Sequence, residues 1–186
     1  MTVISVVHTK GGVGKTTTAM YLATAAAKRG LDVAVVDADH QRSAAVWAER
    51  ANLPFPVTEG INNIPDNELV IIDTPPGKSE RIQAAILLAD LVIIPCGASP
   101  MDLARVWPTL EITTRETPPV VLLTQVDLRA KLWQRIRTKL EDEGVVVFDT
   151  MIPQRQSTRR SFGTVPADLG AYNDLLREME GVIIGV

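Results

Sequence analysis

Lys10, Gly11, Gly12, Val13, Gly14, Lys15, Thr16 and Thr17 stand in one unbroken stretch. Glycines let backbone N–H groups turn toward an anion with no Cβ in the way. The apolar run Val3 to Val7 precedes them, and good helix formers follow. A strand feeding a helix through such a turn aims the helix N-terminus, with its partial positive charge, at a phosphate. Lys15 then reaches β- and γ-phosphates, Thr16 offers its hydroxyl to Mg²⁺, and Thr17 meets the α-phosphate. The common form of this loop has glycine five residues before Gly14. Thr9 holds that position, and an added lysine, Lys10, precedes the glycines. The alternative is a glycine-rich turn that binds nothing.

Acidic residues end two later apolar runs. Asp37-Ala38-Asp39 follows Val33 to Val36, and Asp73 follows Leu69 to Ile72. Ligand groups gather at the carboxyl edge of a parallel sheet, where the phosphate loop also lies. A carboxylate there can position an attacking water or order the water shell of a metal. Strand-end aspartates can equally cap the next helix.

The elements that must position these groups are legible as six short apolar runs: Val3 to Val7, Val33 to Val36, Leu69 to Ile72, Leu91 to Ile94, Val120 to Leu123 and Val145 to Phe148. Each is β-branched and nearly continuous, as in strands buried on both faces of a parallel sheet. Helices are expected over Thr16 to Arg29, closed by Gly30, and over Ser79 to Ala89, Asp102 to Glu116, Ala130 to Glu143 and Ala167 to Glu180. Pro108 should kink or interrupt the third. Leu132, Ile136 and Leu140 form a core-facing stripe. Residues 52 to 66, with Pro54, Pro56 and Pro65, are the least regular part. One α/β domain over residues 1–186 is expected, with helices on both faces of the sheet.

The chain has 186 residues, 46% hydrophobic and 22% charged, enough for one soluble core. Its net charge of −3 gives no global basic field, so any DNA contact must come from a local patch. Cys96 is the only cysteine, which excludes an intramolecular disulfide and a cysteine-rich metal site within one chain. The start of the chain does not read as a signal peptide, and no apolar run reaches the ~20 residues of a membrane span. A cytoplasmic location is expected. His8 and His40 lack a ligand constellation. Cys96, Trp47, Trp107 and Trp133 read as packing residues.

With its lysine-glycine-glycine loop, the chain resembles the ParA/MinD family of deviant-Walker P-loop ATPases, most nearly the short plasmid-partition type. The resemblance implies a three-layer P-loop NTPase fold with a mostly parallel central sheet, and ATP/ADP and Mg²⁺ as ligands. It implies that Lys10 reaches across an ATP-sandwich homodimer to the partner's phosphates, as an arginine finger does elsewhere. Asp39 becomes the water-positioning residue and Asp37 part of the metal shell. The family motif has proline at the position of His40. Asp73-Thr74-Pro75-Pro76-Gly77 resembles the Walker B strand and second switch, with Asp73 holding Mg²⁺ through water. Lys10, Lys15 and Asp39 are thus the catalytic candidates, and Thr16, Asp37 and Asp73 the metal candidates. Ser99-Pro100-Met101-Asp102-Leu103 resembles a segment near the dimer interface. Thr124 to Asp127 can lie near the base, and Met151 to Arg155, with Gln154, resembles a base-flanking segment.

Family members of this size hold DNA nonspecifically through surface basic residues, which here points to Arg155, Arg159 and Arg160. Lys131, Arg135 and Lys139 form a second basic stripe that reads better as a solvated face. The implied function is ATP-dependent partition of plasmid or chromosomal DNA: ATP-driven dimerisation, nucleoid association, then hydrolysis stimulated by a centromere-binding adaptor. Positioning of a protein cargo and a nucleotide-gated binding module with negligible hydrolysis are the rivals. There is no room for an N-terminal helix-turn-helix. A MinD-like membrane switch needs a basic amphipathic C-terminal helix, whereas residues 178–186 are acidic and then apolar. A reductase resembling the nitrogenase iron protein needs two cluster cysteines per chain.

Overall fold

The computed structural model of the chain describes residues 1–113, 117 and 119–184. Six strands, β1 (Thr2–Val6), β2 (Val33–Asp37), β3 (Val57–Glu59), β4 (Leu69–Asp73), β5 (Leu91–Gly97) and β6 (Pro119–Thr124), form one sheet in the order β3-β2-β4-β1-β5-β6. Every pairing is parallel. Among the described residues, seven helices connect or flank them: α1 (Lys15–Lys28), α2 (Ser43–Arg50), α3 (Glu80–Leu88), α4 (Pro100–Leu110), α5 (Leu132–Asp142), α6 (Gln156–Arg160) and α7 (Tyr172–Ile184).

Strand alternation divides the core. Ile4, Val6, Val35, Ile71 and Ile93 pack with α1, α2 and α7 through Ala19, Trp47 and Leu175. Val7, Val92, Ile94 and Val121 pack on the other face with α3, α4 and α5 through Ile82, Val106 and Ile136. Fully buried alanines along α1 (Ala19, Ala23, Ala25, Ala26) let that helix lie close against the sheet while α7 covers its back. Tyr21 and Tyr172 meet there with ring centroids 4.8 Å apart.

Five of the six expected strands form. Val145 to Phe148 does not: it makes a single bridge, Val121 to Val147, at the sheet edge. The cause lies in α7. Glu178 accepts the N–H groups of Asp149 and Thr150 at 2.5 and 2.8 Å, so the backbone leaves the ladder there. The strand count is restored by β3, a three-residue edge strand within the irregular stretch. The helix expected over Ala167 to Glu180 starts later, because Asp168 accepts the Gly170 N–H at 3.0 Å and holds a turn. Pro108 lies inside α4, two residues before its end. Glu116, the expected end of that helix, lies outside the described residues, as do residues 185–186. On α5, Ile136 and Leu140 are buried but Leu132 is 38% exposed, so the stripe is two residues long.

Candidate functional site

The carboxyl ends of β1, β2 and β4 are neighbours, with Asp37 and Asp73 at matching register positions. Residues 7–14 leave β1 and enter α1 at this edge. Gly12 and Gly14 have φ of +77° and +96°, which side-chain-bearing residues rarely adopt. Gly14 is the N-cap of α1 and supplies no side-chain cap, so the first N–H groups of the helix are left to a ligand.

The two lysines of the loop have different surroundings. Lys15 is buried, and its Nζ donates to the Lys10 carbonyl oxygen at 3.2 Å. Burial holds its pKa below the usual lysine value, opposed by the charges of Asp73 and Asp39. The Lys10 side chain is 38% exposed and turns away to Asp102, with Nζ 2.7 Å from Oδ1.

Thr16 and Asp73 are brought together. The Thr16 hydroxyl donates to Asp73 Oδ2 at 2.6 Å. The other oxygen, Oδ1, is buried and has no hydrogen-bond partner among the described residues. Burial raises the Asp73 pKa to about 7; the Thr16 hydrogen bond and Lys15 oppose that rise, and Asp37 and Asp39 add to it. A buried carboxylate oxygen with no donor, beside a hydroxyl, suits a hard cation. Mg²⁺ takes one or two protein oxygens and completes its shell with phosphate and water. Among the described residues no cluster of three or more acidic, histidine or cysteine side chains could hold a metal.

Asp37 is engaged elsewhere. Its Oδ1 accepts the Asp39 N–H at 3.0 Å, and its Oδ2 accepts the Ala45 N–H at 2.9 Å, in the first turn of α2. These contacts match the capping alternative and occupy one acceptor site on each oxygen. A part in the metal's water shell would use the lone pairs that remain. Asp37→Ala should therefore lower the stability of the ligand-free protein by about 1–3 kcal/mol, because two amides lose their acceptor. Urea unfolding checks this; a purely metal-binding residue would leave ligand-free stability unchanged.

Asp39 is half-buried, accepts the Gln41 N–H at 3.0 Å, and lies close enough to Lys15 and Asp73 for its charge to act on both. The following turn carries Arg42 at φ +53°, with its guanidinium held by Glu59 and Glu49.

The loop is braced chiefly by residues distant from it in the chain. Thr124 Oγ1 donates to the Val13 carbonyl oxygen at 3.1 Å, and Gln125 Nε2 to that of Gly12 at 3.2 Å. Both were expected near the base; they line the cavity that also contains Gln154, and they hold the loop as well. Gly77, in the stretch after β4, donates its N–H to the Thr9 carbonyl oxygen at 2.8 Å. His8 is fully buried, and its Nδ1 accepts the Lys10 N–H at 2.9 Å. Burial, then the Lys15 charge, lowers the His8 pKa to about 4, so the ring stays a neutral acceptor.

Beside the loop lies a cavity of about 260 Å³ lined by Gly12, Gly14, Thr17, Gln154 and Arg159, among others. A second of about 370 Å³ shares Gln154, Arg155 and Arg159 and adds Asp127. Their size and position suit a sugar and a base. The three candidate DNA arginines separate: Arg155 pairs with Asp168 at 2.9 Å, whereas Arg159 and Arg160 are exposed and have no ion pair among the described residues. Lys131, the N-cap of α5, and Arg135 and Lys139 on that helix are exposed. No described helix is long and apolar enough to cross a membrane.

A family model described as the CobQ/CobB/MinD/ParA nucleotide binding domain matches residues 4–166. The chain is 36% identical over 174 residues to the maintenance of carboxysome distribution protein A of Gloeobacter kilaueensis, covering 86% of this chain and 80% of that one. It is 30% identical over 212 residues to the chromosome-partitioning ATPase Soj of Thermus thermophilus, covering 86% and 85%. Among solved structures, the AMPPNP-bound plasmid partition protein of Borrelia burgdorferi superposes with a TM-score of 0.75 at 16% identity, over 99% of this chain and 98% of that one. Cobyrinic acid a,c-diamide synthase of Mycobacterium smegmatis, with ADP and magnesium, gives 0.72 at 19%, over 100% and 96%.

Proposed function

The chain belongs to the CobQ/CobB/MinD/ParA nucleotide-binding family, and from that premise we propose that it is an ATP-driven partition switch. It binds ATP, pairs with a second copy, holds DNA nonspecifically and hydrolyses ATP when an adaptor stimulates it. The observation that carries this reading is the division of labour between the two loop lysines. Lys15 is buried with its Nζ on the loop backbone, while the partly exposed Lys10 side chain is held by Asp102 of α4.

Each residue has a task in that scheme. The loop N–H groups and the N-terminus of α1 bind the phosphates, and Lys15 neutralises them in cis. Thr16 and Asp73 would hold Mg²⁺, which supplies charge neutralisation on the phosphate oxygens when bound. Asp39 orients the attacking water. Lys10 meets the partner's phosphates and stabilises charge that grows in the transition state. Gln154 and the adjoining cavities receive sugar and base.

DNA contact falls to Arg159 and Arg160, with Arg155 restrained by Asp168. Two arginines from each copy give about four phosphate contacts, so raising salt from about 50 to about 200 mM should weaken binding roughly 10²-fold. The test is DNA binding with ATP, with ADP and with Lys15→Ala, each over a salt series. Binding is expected only with ATP, and neither in the variant nor at high salt. Equal binding in every nucleotide state would overturn the switch.

A second reading keeps the switch and changes its cargo. The 36% identity to a carboxysome distribution protein favours positioning of a protein assembly. Pull-down of an adaptor encoded beside the gene, followed by identification of what that adaptor binds, separates the two.

A further inference from the structure

Lys10 and Asp102 are 92 residues apart in sequence, yet Nζ and Oδ1 are 2.7 Å apart. The carboxylate is fixed from several sides. Ser99 caps α4 by accepting the Asp102 N–H at 3.2 Å, and its hydroxyl donates to Asp102 Oδ2 at 2.5 Å. Gly97 lies directly beneath: a Cβ there would stand 2.4 Å from Oδ2, so the bare backbone is what lets the carboxylate sit so close. The lysine is fixed at its other end, because His8 holds the Lys10 N–H. Only the lysine side chain is free to swing, over a cavity of about 360 Å³ lined by Lys10, Gly97, Ser99, Asp102, Gln125 and Trp133.

We propose that Asp102 is a positioning residue that holds Lys10 in cis, so that each chain enters the ATP-bound pair only after its Lys10 amine exchanges Asp102 for the partner's phosphates. This rests on the reading of Lys10 as the residue that crosses the interface. The ion pair is local and preformed, whereas the phosphates arrive only with a partner. A chain whose lysine is held is not competent to pair, and the apparent affinity of pairing falls by the competent fraction. The contact thus sets a threshold: phosphates, with more charge than one carboxylate, win when nucleotide and partner are both present.

Two measurements on full-length protein test this. In nucleotide-free protein, trace acetylation with acetic anhydride, followed by mass spectrometry, reads the freedom of the Lys10 amine, with exposed Lys131 and Lys139 as internal references. Asp102→Asn keeps size and shape but removes the charge. Lys10 should then react about threefold to tenfold faster than in the wild type, and Asp102→Glu should restore slow reaction. In sedimentation velocity with a non-hydrolysable ATP analogue and Mg²⁺, Asp102→Asn should pair at about fivefold lower nucleotide concentration. Unchanged acetylation would overturn the contact. Faster acetylation with unchanged or weaker pairing would overturn the holding role. No nucleotide-dependent pairing in the wild type would overturn the Lys10 reading itself, and this inference with it.

Discussion

Replacing Lys10 with alanine is expected to lower stimulated ATP turnover by about 10³-fold while single-chain ATP affinity changes by less than about threefold. The split follows from the geometry. Affinity within one chain depends on Lys15, the loop N–H groups and the first turn of α1, none of which requires the Lys10 amine. That amine is paired with Asp102 of α4. A cation that reaches the transferring phosphate only from a partner acts as an arginine finger does, and those contribute about 10³–10⁵ in turnover. Mixing makes the test sharper. Lys10→Ala chains lack the donated lysine, and Lys15→Ala chains lack the resident one. A mixed pair has one composite site with both lysines intact, so equal mixing should recover about a quarter of wild-type turnover under random pairing. If Lys10 served its own chain, every site in the mixture would lack a lysine and nothing would be recovered. Measured turnover of each variant, and of the mixture, decides between the two.

The parts of this site that the sequence displayed are those made by contiguous residues. The loop from Lys10 to Thr17 announces itself because glycine spacing, a preceding strand and a following helix coincide locally. Asp73 was legible for a similar reason, as an acid ending an apolar strand. What stayed hidden depends on distant partners. Asp37 showed its acid, and capping was open to it, but not which amides it takes, because the helix it caps starts six residues later. Thr124 and Gln125 brace loop carbonyls more than 110 residues away. Val145 to Phe148 has the composition of a strand, yet Glu178 on α7 takes the amides just beyond it. The six-stranded architecture survived that error, because the pattern of buried apolar runs is redundant and one short edge strand contributes little to it. Lys10 illustrates the limit most clearly. Its sequence position identifies an extra cation, but only the folded chain reveals the carboxylate that holds it.

Asp73→Asn should raise the stability of the nucleotide-free protein at pH 8 while lowering Mg²⁺-dependent turnover by about 10³-fold. The first half comes from the buried, half-partnered carboxylate. Its folded pKa is raised to about 7, chiefly by burial, whereas in an unfolded chain an aspartate titrates near its ordinary value of about 3.9. Between those values the folded state binds more protons than the unfolded state, so this residue makes stability fall as pH rises from about 4 to about 7. Above that range the charged carboxylate remains buried at a constant cost. Asparagine is neutral throughout, and its side-chain oxygen can still accept from Thr16. The variant should therefore match the wild type near pH 4 and exceed it by up to about 4 kcal/mol at pH 8. Urea unfolding across that pH range measures the difference. The second half comes from the same oxygen. With nucleotide present, added Mg²⁺ should stabilise the wild type and scarcely stabilise the variant, because the cation has lost the charge that compensates it. Removing Mg²⁺ with a chelator should then bring the wild type down and leave the variant where it was. A structural carboxylate would behave otherwise: its loss would destabilise the protein at every pH, with or without the cation. The combination of a more stable empty chain and an inactive loaded one is thus the signature of a carboxylate kept buried at a cost to the fold, for the sake of the ion it receives.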